Sequence, residues 1–186
     1  MIRAFFAVDI EDKDITQKIV SIQKDLEDPN GRINFVAKEN LHFTLKFLGD
    51  IEESIVPKLQ SEFEKIASPS FSIELKGMGC LPSFEYINAI YIDITNGNNE
   101  LSILAKKIEE ICSQFNLRKE KRPFKCHLTI GRVKKIGNKS TLVNKIKQNK
   151  EEFFGSVKIT NFRLKKSVLE PTGPNYTNLF EIKLEE

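Results

Sequence analysis

The first and second halves of this chain show the same order of strands and helices. An apolar, β-prone strand begins at Ile2 in the first half and at Ile87 in the second, and a helix follows each of them. Forty residues separate Ile2 from His42, and forty separate Ile87 from His127. This repetition predicts an α/β chain whose two halves fold alike and share one core.

Hydrophobic periodicity places the individual elements. The predicted strands cover residues 2–9, 41–48, 71–75, 87–94, 124–133, 156–169 and 178–184. The predicted helices, the first capped by Asp12 or Asp14, have apolar faces within residues 15–26, 55–66, 101–115 and 141–150. We therefore predict one domain over residues 1–186, with pseudo-repeats at about residues 1–80 and 87–170.

The only two histidines of the chain open the same short motif. His42 begins the sequence H-F-T-L, and His127 begins H-L-T-I. Eight of the 186 residues are threonine, so chance would place a threonine two positions after both histidines in roughly 1 of 500 such chains. Because side chains alternate along a strand, each histidine is predicted to share a face with its threonine, Thr44 or Thr129, and the apolar neighbours to point the other way.

Two imidazoles and two hydroxyls around one cleft suit an in-line displacement at a phosphodiester. One imidazole can deprotonate the nucleophile while the other protonates the departing oxygen, and both titrate near neutrality. The threonine hydroxyls can donate to non-bridging oxygens, where transition-state charge collects. These roles need no metal and no cofactor, and we expect neither. For a single motif the plainer interpretation is an exposed or half-buried strand pair without catalytic function.

The bulk composition is that of an ordinary globular protein, 40% hydrophobic and 30% charged, with a net charge of +3. A mildly basic chain is compatible with a phosphate-bearing ligand but does not establish one. Three cysteines without C-x-x-C spacing, Cys80, Cys112 and Cys126, indicate reduced and mostly buried thiols. Neither a signal peptide nor a membrane span is recognisable, so we expect a cytoplasmic protein.

Basic residues crowd the approach to the second motif. The run R-K-E-K-R covers residues 118–122 and is followed by Lys125, while Arg163, Lys165 and Lys166 lie on the predicted long strand. Such side chains can follow an RNA backbone through its phosphates. They are equally typical of solvated loops and helix ends, and the sequence leaves both interpretations open.

Other common catalytic motifs are incomplete in this chain. The sequence G-N-K-S at residues 137–140 lacks the spacing of a phosphate-binding loop and indicates a turn with a helix cap. No G-x-S-x-G elbow accompanies the histidines, which argues against a serine hydrolase. The scattered cysteines and the 85 residues between the histidines make a metal site an unfavourable interpretation.

Longer segments around the motifs resemble a known family. The segments H-F-T-L-K-F-L-G at residues 42–49 and R-P-F-K-C-H-L-T-I-G-R at residues 122–132 are similar to the two signatures of the two-histidine (2H) phosphoesterases. The closest branch is the RNA 2′,3′-cyclic phosphodiesterases, also called 2′-5′ RNA ligases. The segments I-R-A-F-F-A-V at residues 2–8 and S-V-L-E-P-T-G-P-N-Y at residues 167–176 extend the resemblance over nearly the whole chain. It implies a bilobal fold of α+β type, in which pseudo-twofold-related lobes of antiparallel-rich sheet carry outer helices and enclose a central cleft.

The resemblance also implies roles for single side chains. His42 would donate a proton to the leaving 3′ oxygen, and His127 would activate water. Binding roles would fall to Thr44, Thr129 and Arg132 at the phosphate and to Phe47 at the terminal base or ribose. Apart from the resemblance, Arg122 and Lys125 of the basic run are candidate RNA contacts, and Tyr176 could stack on a base or fill a turn.

The implied reaction is metal-independent hydrolysis of a terminal RNA 2′,3′-cyclic phosphate to a 2′-phosphate. A ligase that joins the same end to a 5′-hydroxyl would use the same residues. An enzyme for linear 2′-5′ oligonucleotides or small cyclic nucleotides is also compatible with them, as is an RNA-binding module with vestigial motifs. The expected partner is RNA with a 2′,3′-cyclic phosphate end, tRNA fragments among the candidates, and the expected state is a monomer.

Overall fold

The computed structural model describes residues 1–119, 124–171 and 173–185. The strands are β1 (Ile2–Asp9), β2 (Arg32–Phe35), β3 (His42–Ile51), β4 (Phe71–Pro82), β5 (Ile87–Asn96), β6 (Leu128–Lys135), β7 (Phe153–Ile159), β8 (Asn161–Glu170) and β9 (Gly173–Lys183). The helices are α1 (Lys13–Asp25), α2 (Val56–Phe63), α3 (Asn98–Gln114) and α4 (Lys139–Gln148). Within the described ranges, no helix combines the length and the apolar character needed to cross a bilayer.

Side-chain caps explain where two of the helices begin. The carboxylate of Asp12 accepts hydrogen bonds from the backbone N–H groups of Asp14 and Ile15, at 3.0 and 2.9 Å. The side chain of Asn138 accepts one from the N–H of Thr141 at 3.0 Å. Each cap satisfies a backbone donor that the first helical turn leaves unpaired, and so fixes the start of α1 and α4.

The named strands form two sheets, and each sheet contains strands from both halves of the chain. The first sheet has the order β3-β1-β8-β9, and the second has the order β2-β6-β5-β4-β7. All pairings between these strands are antiparallel. Strands β8 and β9 thus extend the sheet begun by β1 and β3, while β2 and β4 flank β5 and β6. The predicted α+β class with antiparallel-rich sheets is confirmed.

Each motif strand pairs with the first strand of its half of the chain, but β3 lies at the edge of its sheet whereas β6 has β2 on its other side. His42 opens β3, which pairs with β1, and His127 directly precedes β6, which pairs with β5. The second motif strand was predicted to begin at residue 124, but β6 begins at Leu128. The exact limits of the two pseudo-repeats remain a prediction.

Three further element predictions are corrected by the structure. The predicted strand over residues 156–169 is two strands, because β7 pairs with β4 in one sheet whereas β8 pairs with β1 in the other. Strand β2 was not predicted from the sequence and pairs with the outer edge of β6. The last strand begins at Gly173 rather than at residue 178, since its first residues pair with the end of β8.

One face of the first sheet packs in the hydrophobic core, and the other face carries His42. Phe6 and Phe43 are fully buried and belong to the hydrophobic core. Residues directly opposite each other in an antiparallel pair share a face. On the face away from Phe6, the cross-strand pairs are Asp9 with His42, Ala7 with Thr44 and Arg163, and Phe5 with Phe47 and Lys165.

Candidate active site

A cleft of about 1570 Å³ lies between the two motif strands. Pockets for small-molecule ligands usually enclose about 300–1,000 Å³, so this cleft has room for more than one nucleotide. Arg122 lies outside the described residues. The other eight predicted site residues all line the cleft: His42, Thr44, Phe47, Lys125, His127, Thr129, Arg132 and Tyr176.

Each histidine is held by the backbone carbonyl two residues before it. Nδ1 of His42 lies 2.7 Å from the carbonyl oxygen of Asn40, and Nδ1 of His127 lies 3.0 Å from that of Lys125. A carbonyl oxygen only accepts hydrogen bonds, so Nδ1 carries the hydrogen in both rings. Nε2 is then the atom that can take up or release a proton at either histidine.

A tyrosine ring packs against each imidazole. The ring centroids of His42 and Tyr176 are 5.4 Å apart, and those of His127 and Tyr91 are also 5.4 Å apart, with edge-on geometry in both pairs. Burial raises the pKa of both phenols, so their hydroxyls stay protonated near neutral pH. The two rings restrict the orientation of the imidazoles to which they pack.

Tyr91 was missed by the sequence reasoning, and a glycine opposite it makes its position possible. Gly79 is the cross-strand partner of Tyr91, and a Cβ atom at Gly79 would lie 2.5 Å from the phenol ring. On its other side Tyr91 pairs with Thr129. The sequence shows only the G-x-G of β4. The register of β4 with β5 is what places Tyr91, and with it the ring beside His127, opposite the second of these glycines.

We expect Tyr91→Ala to lower kcat by roughly 10- to 100-fold, because His127 loses the ring that positions it. Tyr91→Phe keeps the ring and should retain most of the activity. Tyr86→Ala is the matched control, since Tyr86 is 67% exposed and lies outside the cleft. Steady-state kinetics give kcat for the three variants. If Tyr91→Phe loses as much activity as Tyr91→Ala, the ring does not position His127.

Burial is the main influence on the protonation of His42. It lowers the pKa of the imidazole, because the charged form loses its water. The hydrogen bond to the Asn40 carbonyl and the nearby carboxylate of Asp9 oppose this shift, while the cations of Lys165 and Arg132 add to it. His42 therefore becomes neutral at a lower pH than a solvated histidine.

The two motif threonines present their hydroxyls to the cleft. Thr44 and Thr129 are half-buried, and both line the cleft beside the histidine of their own motif. Within residues 1–119, 124–171 and 173–185, no hydrogen bond engages either hydroxyl. Both hydroxyls are therefore available to the oxygen atoms of a ligand.

An aromatic surface continues from the first motif along the cleft. Phe47 is 52% exposed, and its ring centroid lies 6.0 Å from that of Phe5, which in turn lies 5.1 Å from that of His42. Tyr176 contacts Phe5 from the other side, at 5.0 Å. A solvent-exposed ring with this support can hold a nucleobase by stacking.

The cleft concentrates the positive charge of the protein. Among the residues that the structure describes, its lining contains seven cationic and three acidic side chains, whereas the whole chain has a net charge of only +3. Burial dominates the pKa of both His42 and Tyr176, and the charge of Arg132 contributes to each. A residue of β6 thus acts on the first motif, so the two motifs front the same space. Such a cleft favours an anionic ligand.

Lys46, on the strand of the first motif, has a structural role in the cleft wall. It is only 2% exposed, and its Nζ lies 2.5 Å from a carboxylate oxygen of Glu109 and 2.8 Å from the carbonyl oxygen of Arg118. These contacts join β3 to α3 and to the segment that follows α3. Arg118, the first residue of the basic run, is thereby held against β3, the strand of the first motif.

Two basic residues that the sequence placed on a possible RNA track are bound within the protein instead. Arg163 pairs with Asp9, Glu11 and Glu181, and Lys165 pairs with Asp9. Neither residue lines the cleft. Of the two interpretations that the sequence left open for these side chains, the ion pairs favour a structural role, and the sequence did not show the carboxylates opposite them.

The cysteine next to the second histidine is not a nucleophile. All three cysteines are free thiols, and Cys126 packs against the core. Burial raises the pKa of the Cys126 thiol, so the reactive thiolate is not populated near neutral pH. This agrees with the expected role of Cys126 as a core residue.

Two imidazoles, two threonine hydroxyls and cationic side chains thus line one cleft, an arrangement that suits a phosphate ester. The model of the family described as LigT like Phosphoesterase matches the chain twice, over residues 8–91 and 92–176. The RNA 2′,3′-cyclic phosphodiesterase of Methanocaldococcus jannaschii is 37% identical over 94% of this chain and 96% of the relative. That of Archaeoglobus fulgidus is 33% identical over 95% and 97%. The chain therefore belongs to the LigT-like, or 2H, phosphoesterase family.

Solved structures share the whole fold. The crystal structure of E. coli LigT complexed with 3′-AMP superposes with a TM-score of 0.79 at 23% identity, and the match covers 100% of this chain and 99% of LigT. A crystal structure of a Thermus thermophilus protein gives a TM-score of 0.81 at 23% identity, covering 98% and 97%. These likenesses establish the common architecture.

Proposed function

We propose that this phosphoesterase opens the 2′,3′-cyclic phosphate at the end of an RNA and leaves a 2′-phosphate and a 3′-hydroxyl. The observation that carries the proposal is the matched setting of His42 and His127, each with Nδ1 bound to a carbonyl and Nε2 toward one cleft. Relatives more than 30% identical bear the name of this activity. The structure of E. coli LigT with 3′-AMP supports a nucleotide site in this fold.

The reaction divides into two proton transfers. Nε2 of His127 accepts a proton from water as the water oxygen bonds to phosphorus. Nε2–H of His42 donates a proton to O3′ as the bond between phosphorus and O3′ breaks. After the reaction His127 is protonated and His42 is neutral, and exchange with solvent restores both.

The threonines and Arg132 would stabilise the charge that develops on phosphorus. The hydroxyls of Thr44 and Thr129 approach from the two sides of the cleft and can donate to the two non-bridging oxygens. Arg132 brings a positive charge to the same space. Donors that are already in place when the reaction begins need no reorganisation in the transition state.

The rest of the cleft suits a polynucleotide rather than a single cyclic nucleotide. Its volume of about 1570 Å³ exceeds what one nucleotide needs. Phe47 offers a stacking surface for the terminal base, and Lys125 an exposed charge for the backbone. The expected tRNA fragments, the monomeric state and the cytoplasmic location remain predictions.

The first experiment incubates the protein with a short RNA that ends in a 2′,3′-cyclic phosphate. We expect the product to resist a phosphatase specific for 3′-phosphates, because the bond to O3′ is the one that breaks. A matched RNA with a linear 3′-phosphate should remain unchanged. A product sensitive to that phosphatase would show that the other ester bond is cleaved and would refute the assigned leaving group.

Addition of EDTA is expected to leave kcat within about twofold of its original value, since imidazoles supply both proton transfers. The measurement compares initial rates before and after dialysis against EDTA, and again after Mg²⁺ or Mn²⁺ is restored. A loss of activity that one of these ions reverses would mean that the proposed metal-independent mechanism is wrong.

We expect kcat/KM to depend on pH as a bell. The rate falls at low pH because the base must be neutral, and it falls at high pH because His42 must be protonated. The two limbs belong to the coupled pair of histidines, and burial, which lowers the pKa of His42, should move the limb set by His42 to lower pH than that of a solvated imidazole. A bound phosphate anion stabilises the imidazolium, so the alkaline limb of kcat should lie at higher pH than that of kcat/KM. If the alkaline limbs of kcat and of kcat/KM lie at the same pH, the assignment of His42 as the acid is contradicted.

A ligase is the second function that the same atoms support. If a ribose 5′-hydroxyl replaces water as the nucleophile, His127 deprotonates it and His42 acts as before. A cleft with room for more than one nucleotide admits a second RNA end. Equal micromolar amounts of the two RNA ends would separate the functions, because a ligase yields more joined product than hydrolysed product.

A further inference from the structure

A cluster of paired charges lies beside His42 in the first sheet. Nζ of Lys165 and Nη1 of Arg163 each donate a hydrogen bond to Oδ2 of Asp9, at 2.6 Å. Arg163 also pairs with Glu11 at 2.5 Å and with Glu181 at 2.7 Å. We call these five residues the Asp9 cluster. Asp9, Arg163 and Lys165 have side chains no more than 11% exposed, so their charges are poorly screened by water.

The sheet register places the Asp9 cluster next to the catalytic face. Asp9 is the direct cross-strand partner of His42, so their side chains share one face. Lys165 is the cross-strand partner of Phe5, whose ring packs against His42. Oδ1 of Asp9 is buried and has no hydrogen-bond partner among the described residues. One carboxylate oxygen is therefore left uncompensated close to the imidazole.

Stability alone does not account for such a cluster. Bringing Lys165 and Asp9 out of water costs free energy that the pairing only partly recovers, and apolar residues of similar size often do as well or better. On the opposite face of β1, Phe6 and Val8 are buried in the hydrophobic core. Buried charges next to a titrating imidazole, in contrast, have a direct effect on its protonation.

Asp9 and Lys165 act on His42 in opposite directions. Burial lowers the pKa of His42, the carboxylate of Asp9 raises it, and the ammonium group of Lys165 lowers it. Arg132 on β6 also lowers it, and Tyr176 on β9 is a neutral phenol. Asp9 and Lys165 are the members of the Asp9 cluster whose charges act on His42, and they oppose each other.

We propose that the Asp9 cluster tunes the protonation of His42: the carboxylate of Asp9 favours the charged imidazole against the effect of burial, and Lys165 limits that effect. Asp9 and Lys165 are positioning residues in this proposal, because neither lines the cleft. The consequence for catalysis rests on the proposed role of His42 as the acid. The effect on its titration does not depend on that role.

Proton NMR can test the proposal directly, because the chain has only two histidines. The two imidazole signals are assigned with the His127→Ala variant and followed through a pH titration. Asp9→Asn should move the midpoint of His42 to lower pH, and Lys165→Met should move it to higher pH. The controls Asp50→Asn and Lys183→Met change the charge equally at exposed positions of the same sheet and should leave the midpoint in place.

Activity gives an independent measurement with the same variants. At pH values above the alkaline limb of the wild type, Asp9→Asn should lower kcat/KM by roughly three- to tenfold, and Lys165→Met should raise it. If the NMR midpoints move as expected but no RNA is hydrolysed, the proposed function fails and the inference on His42 stands.

Without Asp9, Lys165 is buried without its closest partner, and this can prevent the Asp9→Asn variant from folding. A double variant tests the proposal in that case. The double variant Asp9→Asn/Lys165→Met removes both charges, and comparison with Lys165→Met isolates the effect of Asp9. The midpoint of His42 in the double variant should lie below that in Lys165→Met. Midpoints that stay unchanged in the folded variants, or that move the same way in both single variants, would overturn the proposal.

Discussion

Replacement of either His42 or His127 by alanine is expected to lower kcat for a cyclic-phosphate RNA by roughly 10²- to 10⁴-fold. This is the range by which a positioned acid or base accelerates a proton transfer, and the chain has no third histidine to substitute. Because both residues act in one step, the double variant should be little worse than the more impaired single variant. Single-turnover rates at saturating enzyme report this loss without interference from binding.

A substrate with a good leaving group can separate the two roles. A nitrophenyl phosphodiester releases nitrophenolate, which is stable as an anion and needs no proton from His42. On this substrate His42→Ala should recover most of its activity, whereas His127→Ala should remain impaired. Equal losses of the two variants on both substrates would show that the acid and the base are wrongly assigned. RNA binding that survives in both variants, with no turnover in the wild type, would favour a binding module.

Phe63→Ala is expected to lower the free energy of unfolding by about 3–5 kcal/mol, the largest effect on stability that we predict. Phe63 is fully buried on α2, and its ring lies 4.6 Å from Phe6, 5.9 Å from Phe162 and 6.2 Å from Phe180. These partners come from β1, β8 and β9, so the ring joins one helix to three strands of the first sheet. Its removal leaves a cavity that this sheet cannot close without losing its own packing. Denaturant unfolding measures the change.

Phe47→Ala is the matched control, because it removes the same ring from the cleft side of that sheet. Phe47 is 52% exposed, so we expect a loss of stability below about 1 kcal/mol. If Phe47 stacks on the terminal base, its removal should instead raise KM for RNA by roughly tenfold. Phe63→Ala should leave KM unchanged at temperatures where it remains folded. A large loss of stability in Phe47→Ala would mean that this ring belongs to the core.

Helices and most strands could be predicted from local patterns, whereas the distribution of strands between sheets could not. The apolar faces of α1 and α3 and the caps at Asp12 and Asn138 lie within the sequence that they organise. Residues 156–169 are β-prone throughout, and nothing local indicates that the chain changes sheets at Thr160. Strand β2 has four residues, and its existence depends on its distant partner β6.

The same distinction applies to the candidate site. The repeated H-x-T motif and the resemblance to 2H phosphoesterases identified residues that the structure brings into one cleft. The contribution of Tyr91 depends on the register of β4, β5 and β6, which the sequence does not encode locally. The role of Arg163 and Lys165 stayed open because their charge is visible in the sequence and their carboxylate partners, far along the chain, are not.

The exchange of strands between the two sheets means that neither half of the chain is complete without the other. A polypeptide with only β1 to β4 would leave one edge of β1 unpaired and would detach β4 from its neighbours. The two histidines therefore belong to halves that must fold together, yet their surroundings need not be identical. Asp9 is buried and is the cross-strand partner of His42, and a difference of this kind is what the proposed division of labour between acid and base requires.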